Sequence, residues 1–292
     1  MSKKSPRKQT ALINAVVRAA AKKKCGGKDA SLARFIRLYY GDVLLADMVG
    51  SSADALACAA FSVWSLGQLR ASGKMGIRIF NPGVKQHGWE SSHTVIEIIN
   101  NDMPFLVDSV TAELNRHGLT VHHIVHPVFD VLRTPGGKLS RIDGLENGGD
   151  KACRESFMHI EVDQQMDPDF IKGIQTGLEG VLEDVRLAVQ DWAPLRSQMH
   201  TIISETDKVP PPLPIEAVAE DVAFFRWLLD NHFTFLGYRE YRLEKKGGKA
   251  YLNPVAKSGL GILRKPAPKT IAGSKSPLPV QAASLASKES LL

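Results

Sequence analysis

The chain has 292 residues, of which 23% are charged and 43% hydrophobic, a composition that excludes a disordered chain and suits about two globular domains. No window approaches the roughly 18 consecutive apolar residues of a membrane span, and residues 1–4 lack the apolar stretch of a signal peptide. The net charge of +6 is uneven: residues 1–28 carry nine Lys or Arg and no acid, and residues 264–292 carry five against one acid, which leaves the middle at −7. A nucleic-acid footprint belongs on a face of the fold, so basic ends on an acidic middle argue against one. Three widely spaced cysteines with no C-x-x-C pattern predict neither a disulfide scaffold nor a cysteine-built zinc site, and they suit a reducing cytoplasm.

Residues 10–24 read as a helix, with Leu12, Val16 and Ala19 on one side and Lys22, Lys23 and Lys24 at the end that favours cations. A membrane surface, RNA or an import receptor would all suit it, but a solvated terminal helix is the simplest reading. Further helices are expected over 30–40 and over 53–71, the latter behind the cap-like Ser51 and Ser52. The pattern then switches to strands at 75–80 and 93–100. A helix to His117 follows, with Asp102 as its N-cap and Gly118 as its stop. Residues 119–133 predict one long strand, Gly136 and Gly137 a turn, and 156–162 another strand.

Asp167 and Pro168 open the most regular helix, in which Ile171, Ile174, Leu178, Leu182, Val185 and Trp192 recur at three- and four-residue steps. From 94 to 192 the order is βαββα, most of a ferredoxin-like unit. Its closing strand is missing, and strand 75–80 is the candidate to fill that place. Residues 209–214, rich in proline, predict a linker. A helix over 215–231 and a hairpin over 233–264 then begin another α+β region. The expected fold class is α+β: a basic N-terminal segment (1–28), a helical cap (29–72), a βαββα sandwich with two helices on one face (73–205), a linker (206–214), the start of a second domain (215–264), and a disordered tail (265–292).

No motif carries catalysis. Gly259-Leu-Gly261 lacks the third glycine of a dinucleotide fingerprint and does not lead into a helix, and no phosphate-binding G-x-x-x-x-G-K-[ST] exists. His122 and His126 share a strand face but lie roughly 13 Å apart, too far for one metal ion. A zinc site would require His126 to meet His159 and a third ligand; polar histidines on a half-exposed sheet are the simpler reading. Asp102, Asp108, Ser109 and His126 resemble a triad in composition only, since no nucleophile elbow accompanies them. The corner at Asn100, Asn101 and Asp102 stays open to two readings, a capped turn or a carboxylate site at a helix N-terminus.

Residues 101–110 (NDMPFLVDSV), 126–128 (HPV), 155–160 (ESFMHI), 185–192 and 231–238 (NHFTFLGY), with Asn81-Pro82 and His87-Gly-Trp89, are similar to the N-terminal region of the very long bacterial NAD-specific glutamate dehydrogenases. The resemblance covers about residues 30–264. It implies an ACT-type regulatory module, and an NAD-dependent oxidative deamination of L-glutamate whose catalytic and dinucleotide-binding parts lie downstream. No catalytic residue, cofactor ligand or metal ligand is therefore carried over, and NAD belongs to the full-length parent. The chain is expected to be an N-terminal fragment, inactive alone, whose partners are the rest of that polypeptide and its other subunits, with no nucleic acid or membrane. If an amino-acid effector binds, the expected residues are Asn101 and Asp102, with Asp108 beside them. A purely structural interaction module is the alternative, with the run 224–238 as its interface.

Overall fold

The computed structural model describes residues 6–22, 29–145, 152–208, 214–246 and 249–265. The expectations for residues 1–5, for the linker at 209–213 and for most of the tail lie outside them. The chain divides into two units, Met1–Leu182 and Glu183–Leu292.

The first unit begins with four helices: α1 (Pro6–Ala20), α2 (Ala30–Tyr39), α3 (Leu45–Met48) and α4 (Ala53–Gly67). Asp29 caps α2 and Ser52 caps α4, each accepting a backbone N–H of the first turn. The expectation of a solvated α1 is corrected. Ile13, Val16, Ala19 and Ala20 are buried, and Gln9 donates to the carbonyls of Tyr40, Gly41 and Val43. Its apolar stripe and one well-placed amide tie it to the loop after α2.

The sheet comprises β1 (Gly76–Phe80), β2 (Thr94–Asn101), β3 (Val121–Val125), β4 (Val128–Arg133), β5 (Leu139–Asp143) and β6 (Cys153–Val162). A short α5 (Val84–His87) joins β1 to β2, α6 (Leu106–Arg116) joins β2 to β3, and α7 (Pro168–Gln190) follows β6. The order is β1-β2-β6-β4-β5, with β3 also on β6, and every pairing is antiparallel. β1 thus occupies the place beside β2 that the closing strand of a βαββαβ unit would take.

The expected long strand 119–133 is two strands. Pro127 has no N–H for the ladder, so the strand breaks there, while its carbonyl still accepts from Phe157 N–H at 3.0 Å. The hairpin strand β5 was not foreseen. The two-helices-on-one-face expectation also needs extending, because β2 is buried on both sides. Val95, Ile99, Val125, Phe129 and Phe157 share one core with the four-helix cap. Strand alternation sends Ile96, Ile98, Met158 and Ile160 to the other face, which α6 and α7 cover with Leu106, Val110, Leu114, Ile174, Leu178 and Leu182. Phe35, fully buried, is the hub of the cap core: its ring lies 5.2 Å from Trp64, 5.6 Å from Phe129 and 5.8 Å from Phe157. α6 and α7 touch so closely that a side chain at Gly177 would run into the Glu113 carboxylate. Cys153 is a free surface thiol, whereas Cys58 on α4 is disulfide-bonded, which the sequence spacing did not lead us to expect; distance along the chain places no limit on distance in the fold.

The second unit holds the end of α7, α8 (Trp192–Lys208), α9 (Ile215–Trp227), a wide helical turn over Leu228–His232, and strands β7 (Gly237–Tyr238), β8 (Tyr241–Lys246), β9 (Lys249–Pro254) and β10 (Leu260–Gly261). The helix expected to run to Trp192 stops at Gln190. A new helix starts there, with Pro194 in its first turn, where a missing N–H costs nothing. Asp191 at this junction accepts from Gly261 N–H at 2.7 Å and from Arg264 Nη2 at 2.5 Å. The Arg264 hydrogen bond holds its carboxyl below the ordinary range. The expected hairpin is the β8–β9 pair, while β7 pairs with β10. Ile203, Val222 and Leu229 form a small core, and Phe224, Trp227, Phe233 and Leu236 are exposed. Among the described residues no helix is long and apolar enough to cross a membrane.

Candidate functional site

The corner singled out in the sequence lies where β2 ends, β6 begins and α6 starts. Asp102 N–H continues the ladder to the Arg154 carbonyl at 2.9 Å. Asp102 is not the helix cap. Met103 precedes proline and is thereby biased toward extended backbone, and Phe105 then turns through φ 69°, so α6 starts only at Leu106, with no side-chain cap.

The three candidate residues point to different surroundings. Asn101 Oδ1 accepts from Arg70 Nη2 at 2.7 Å. That guanidinium also donates to Glu155 Oε1 at 2.5 Å, and Arg133 holds both Glu155 oxygens at 2.7 Å. Burial pushes the Glu155 carboxyl up, but the hydrogen bonds from Arg133 and Arg70 and their charges outweigh it and hold it below its ordinary value. Arg70 reaches this place because the 134–138 turn docks on the end of α4, with Arg70 N–H on the Gly137 carbonyl at 3.0 Å. Gly137, at φ +83°, permits the approach: a Cβ there would strike the Arg70 carbonyl.

Asp102 is half-buried and faces His126, whose imidazole pKa is lowered by burial and partly restored by the Asp102 charge. His126 Nε2 lies 2.7 Å from Ser156 Oγ. Beside Ser156 in the register is Asn100, 5% exposed, whose Nδ2 has no partner. Asp108 stands exposed on the first turn of α6. The corner therefore gathers Asp102, His126, Ser156 and the Asn100 amide, while Asn101 belongs to the Arg70–Glu155–Arg133 cluster.

Glu155, Arg70 and Arg133 escaped the sequence reading, and the signal was faint: a lone glutamate ahead of an apolar strand. The histidines are placed individually. His122 lies 2.7 Å from Asp163 and stacks on His93 at 4.3 Å, and His159 is paired with Glu161, so His126 and His159 do not meet. Among the described residues no group of three His, Cys, Asp or Glu is placed to hold a metal.

The sequence of this region is similar to known proteins. The family model of the glutamate dehydrogenase ACT1 domain matches residues 35–178, from within α2 to the middle of α7. This chain carries a glutamate dehydrogenase ACT1 domain. The match takes in the second half of α2, α3 and α4 as well as the sheet. NAD-specific glutamate dehydrogenases are similar over much of the chain: that of Halomonas elongata is 39% identical over 81% of it, that of Pseudomonas aeruginosa 34% over 75%, and that of Mycobacterium tuberculosis 28% over 69%. The chain spans only 15%, 13% and 12% of those proteins.

Proposed function

We propose that this chain is the N-terminal regulatory and assembly segment of a cytoplasmic NAD-specific glutamate dehydrogenase and does not itself catalyse. The parent reaction would take L-glutamate, NAD+ and water to 2-oxoglutarate, ammonia and NADH, with NAD held outside this segment. The observation that carries the reading is the ACT1 match, which coincides with a ferredoxin-like sheet and its cap, in a sequence without a dinucleotide motif. The partners would be the rest of the polypeptide and its other subunits. An amino-acid effector would bind at the β2–α6 corner. Asp102 would face the ammonium group, the Asn100 amide would be free to donate to the carboxylate, and Asn101 and Asp108 would flank the site.

A purely structural module is the second reading. It is favoured by Phe224, Trp227, Phe233 and Leu236 at the surface and by the engagement of Asn101 with Arg70. A paired assay separates the readings: NAD+ reduction with L-glutamate, and melting temperature across the common amino acids. Turnover above a blank would refute the non-catalytic assignment. Saturable stabilisation by one amino acid, lost in Asp102→Asn, supports an effector site, and a flat response supports the structural module.

A further inference from the structure

Three cysteines occur in the chain. Cys153 is a free thiol at the surface, and Cys58, 3% exposed on α4, is disulfide-bonded. The count leaves Cys25, in the connection from α1 to α2, as its partner. Cys25 itself lies outside the described residues, but its neighbour in sequence fixes its reach. Just beyond α1, Lys22 Nζ stands 3.0 Å from Asp54 Oδ1 in the first turn of α4. Cys58 follows Asp54 by four residues, on the same side of α4 and about 6 Å further along it. Three residues of chain span up to about 10 Å, so from Lys22 the chain can bring Cys25 to Cys58.

Contacts other than this bond already hold α1. Ile13, Val16, Ala19 and Ala20 bury its apolar stripe, and Gln9 fastens its first half to the loop after α2. The cross-link therefore adds a tether to a helix that is docked in either state. Cys58 Sγ is hemmed in by the loop between α5 and β2, where a Cβ at Gly88 would stand 2.8 Å from it. That leaves no room for a bulky adduct on this sulfur. Exchange with a thiol or disulfide from solution must then begin at Cys25. Its neighbours Lys22, Lys23, Lys24 and Lys28 are the electropositive company in which a thiol reacts readily. In the reducing surroundings that the cysteine content suits, a disulfide is as a rule transient and redox-sensing.

We infer that Cys25 and Cys58 form a reversible thiol–disulfide clasp, which ties the connection between α1 and α2 to α4 when oxidised. The oxidant is a small disulfide such as glutathione disulfide. Cys25, as thiolate, attacks it and expels one glutathione thiol, and Cys58 then displaces the second. Two cysteine thiols become one disulfide, and the small disulfide becomes two thiols. Reduced glutathione reverses both steps. Opening the clasp frees the connection from α4 while α1 stays docked. The inference goes beyond the function proposed above and does not depend on it.

The test uses the whole 292-residue chain carrying Cys153→Ser, so that only Cys25 and Cys58 respond. After equilibration with glutathione disulfide the denatured chain should show no free thiol. A non-reducing tryptic digest should then yield peptides 25–28 and 38–70 joined to each other. Reduced glutathione added to the folded chain should restore both thiols. It should also lower the melting temperature by about 5 °C or more, because the bond closes the loop over residues 26–57. In Cys25→Ser, which leaves the buried α4 position untouched, the oxidised and reduced melting temperatures should coincide. Two free thiols after oxidation, peptides that stay apart, a bond that withstands reduced glutathione, or a melting temperature indifferent to redox state would each overturn the inference. So would a redox response that persists in Cys25→Ser.

Discussion

Glu155→Gln is the sharpest test of the charge cluster beside Asn101. The Glu155 side chain is 1% exposed, and those of Arg70 and Arg133 are 5% and 11% exposed. Removing one partner of a buried ion pair costs about 3–5 kcal/mol, because the remaining charge stays desolvated. Gln keeps the volume and one carbonyl acceptor, so about 2–4 kcal/mol is expected. Urea unfolding is the assay, in a Trp192→Phe/Trp227→Phe background so that Trp64 and Trp89 report the first unit. The midpoint should fall with the slope unchanged. A pH series gives a second reading. The folded carboxyl is held below its unfolded value, so its contribution is complete above the ordinary carboxylate range and is lost as pH falls through the folded value; the variant should lack that loss. Replacing the whole cluster (Arg70→Met, Glu155→Leu, Arg133→Met) should cost less than Glu155→Gln alone, since a buried pair exchanged for apolar residues is often neutral. A Glu155→Gln midpoint equivalent to within about 0.5 kcal/mol of the parent would refute the argument.

Phe35→Ala should cost about 3–5 kcal/mol by chemical denaturation, and cap and sheet should unfold in one transition; separate transitions would show that Phe129 and Phe157 do not depend on it. Gly177→Ala pits helix propensity, worth about 1 kcal/mol in favour of Ala, against a collision with Glu113 and His117. A net loss of about 1–3 kcal/mol is expected where the Arg116 and His117 contacts hold the Glu113 carboxylate in place, and a stabilised variant would show that this carboxylate moves aside freely. Glu161, whose folded pKa is lowered to about 2 from 4.5, contributes stability that is present above pH 4.5 and lost as pH falls toward 2. The melting temperature from pH 6 to pH 3 should therefore drop less steeply in Glu161→Gln than in the parent chain.

Local signals were legible wherever one strong rule acted alone. Asp29, Ser52 and Asp167 stand where helices start, and the Ile171–Ile174–Leu178–Leu182 periodicity gave α7. Reading failed where two rules competed. Residues 119–133 alternate like one strand, yet Pro127 splits them. Asp102 is a good cap type, yet the Met103-Pro104 step forbids a helix there. The missing closing strand was recoverable because 75–80 was a strand in search of a partner. The Glu155 cluster was not recoverable from periodicity: Arg70 follows α4, Arg133 ends β4 and Glu155 lies on β6, and their proximity is a property of the tertiary fold alone.

The placement of β1 also decides what the smallest stable piece of the first unit must be. In a closed βαββαβ unit the chain returns after the second helix to pair with the first strand. Here that edge of β2 is taken by β1, so α7 has no strand to return to and runs on covalently into α8. A fragment starting at Thr94 would leave the β2 edge unpaired over Val95–Ile99, an apolar template for association. A fragment over residues 73–182 restores β1 but strips the cap from Val95, Ile99, Phe129 and Phe157. We therefore expect 73–182 to aggregate or to bind a hydrophobic dye, and 1–182 to be monodisperse with a cooperative melt. Light scattering and a thermal melt of the two fragments decide it. A well-behaved 73–182 would mean that the sheet's cap face does not need the helices, and that the cap is an addition to the ACT1 fold rather than half of its core.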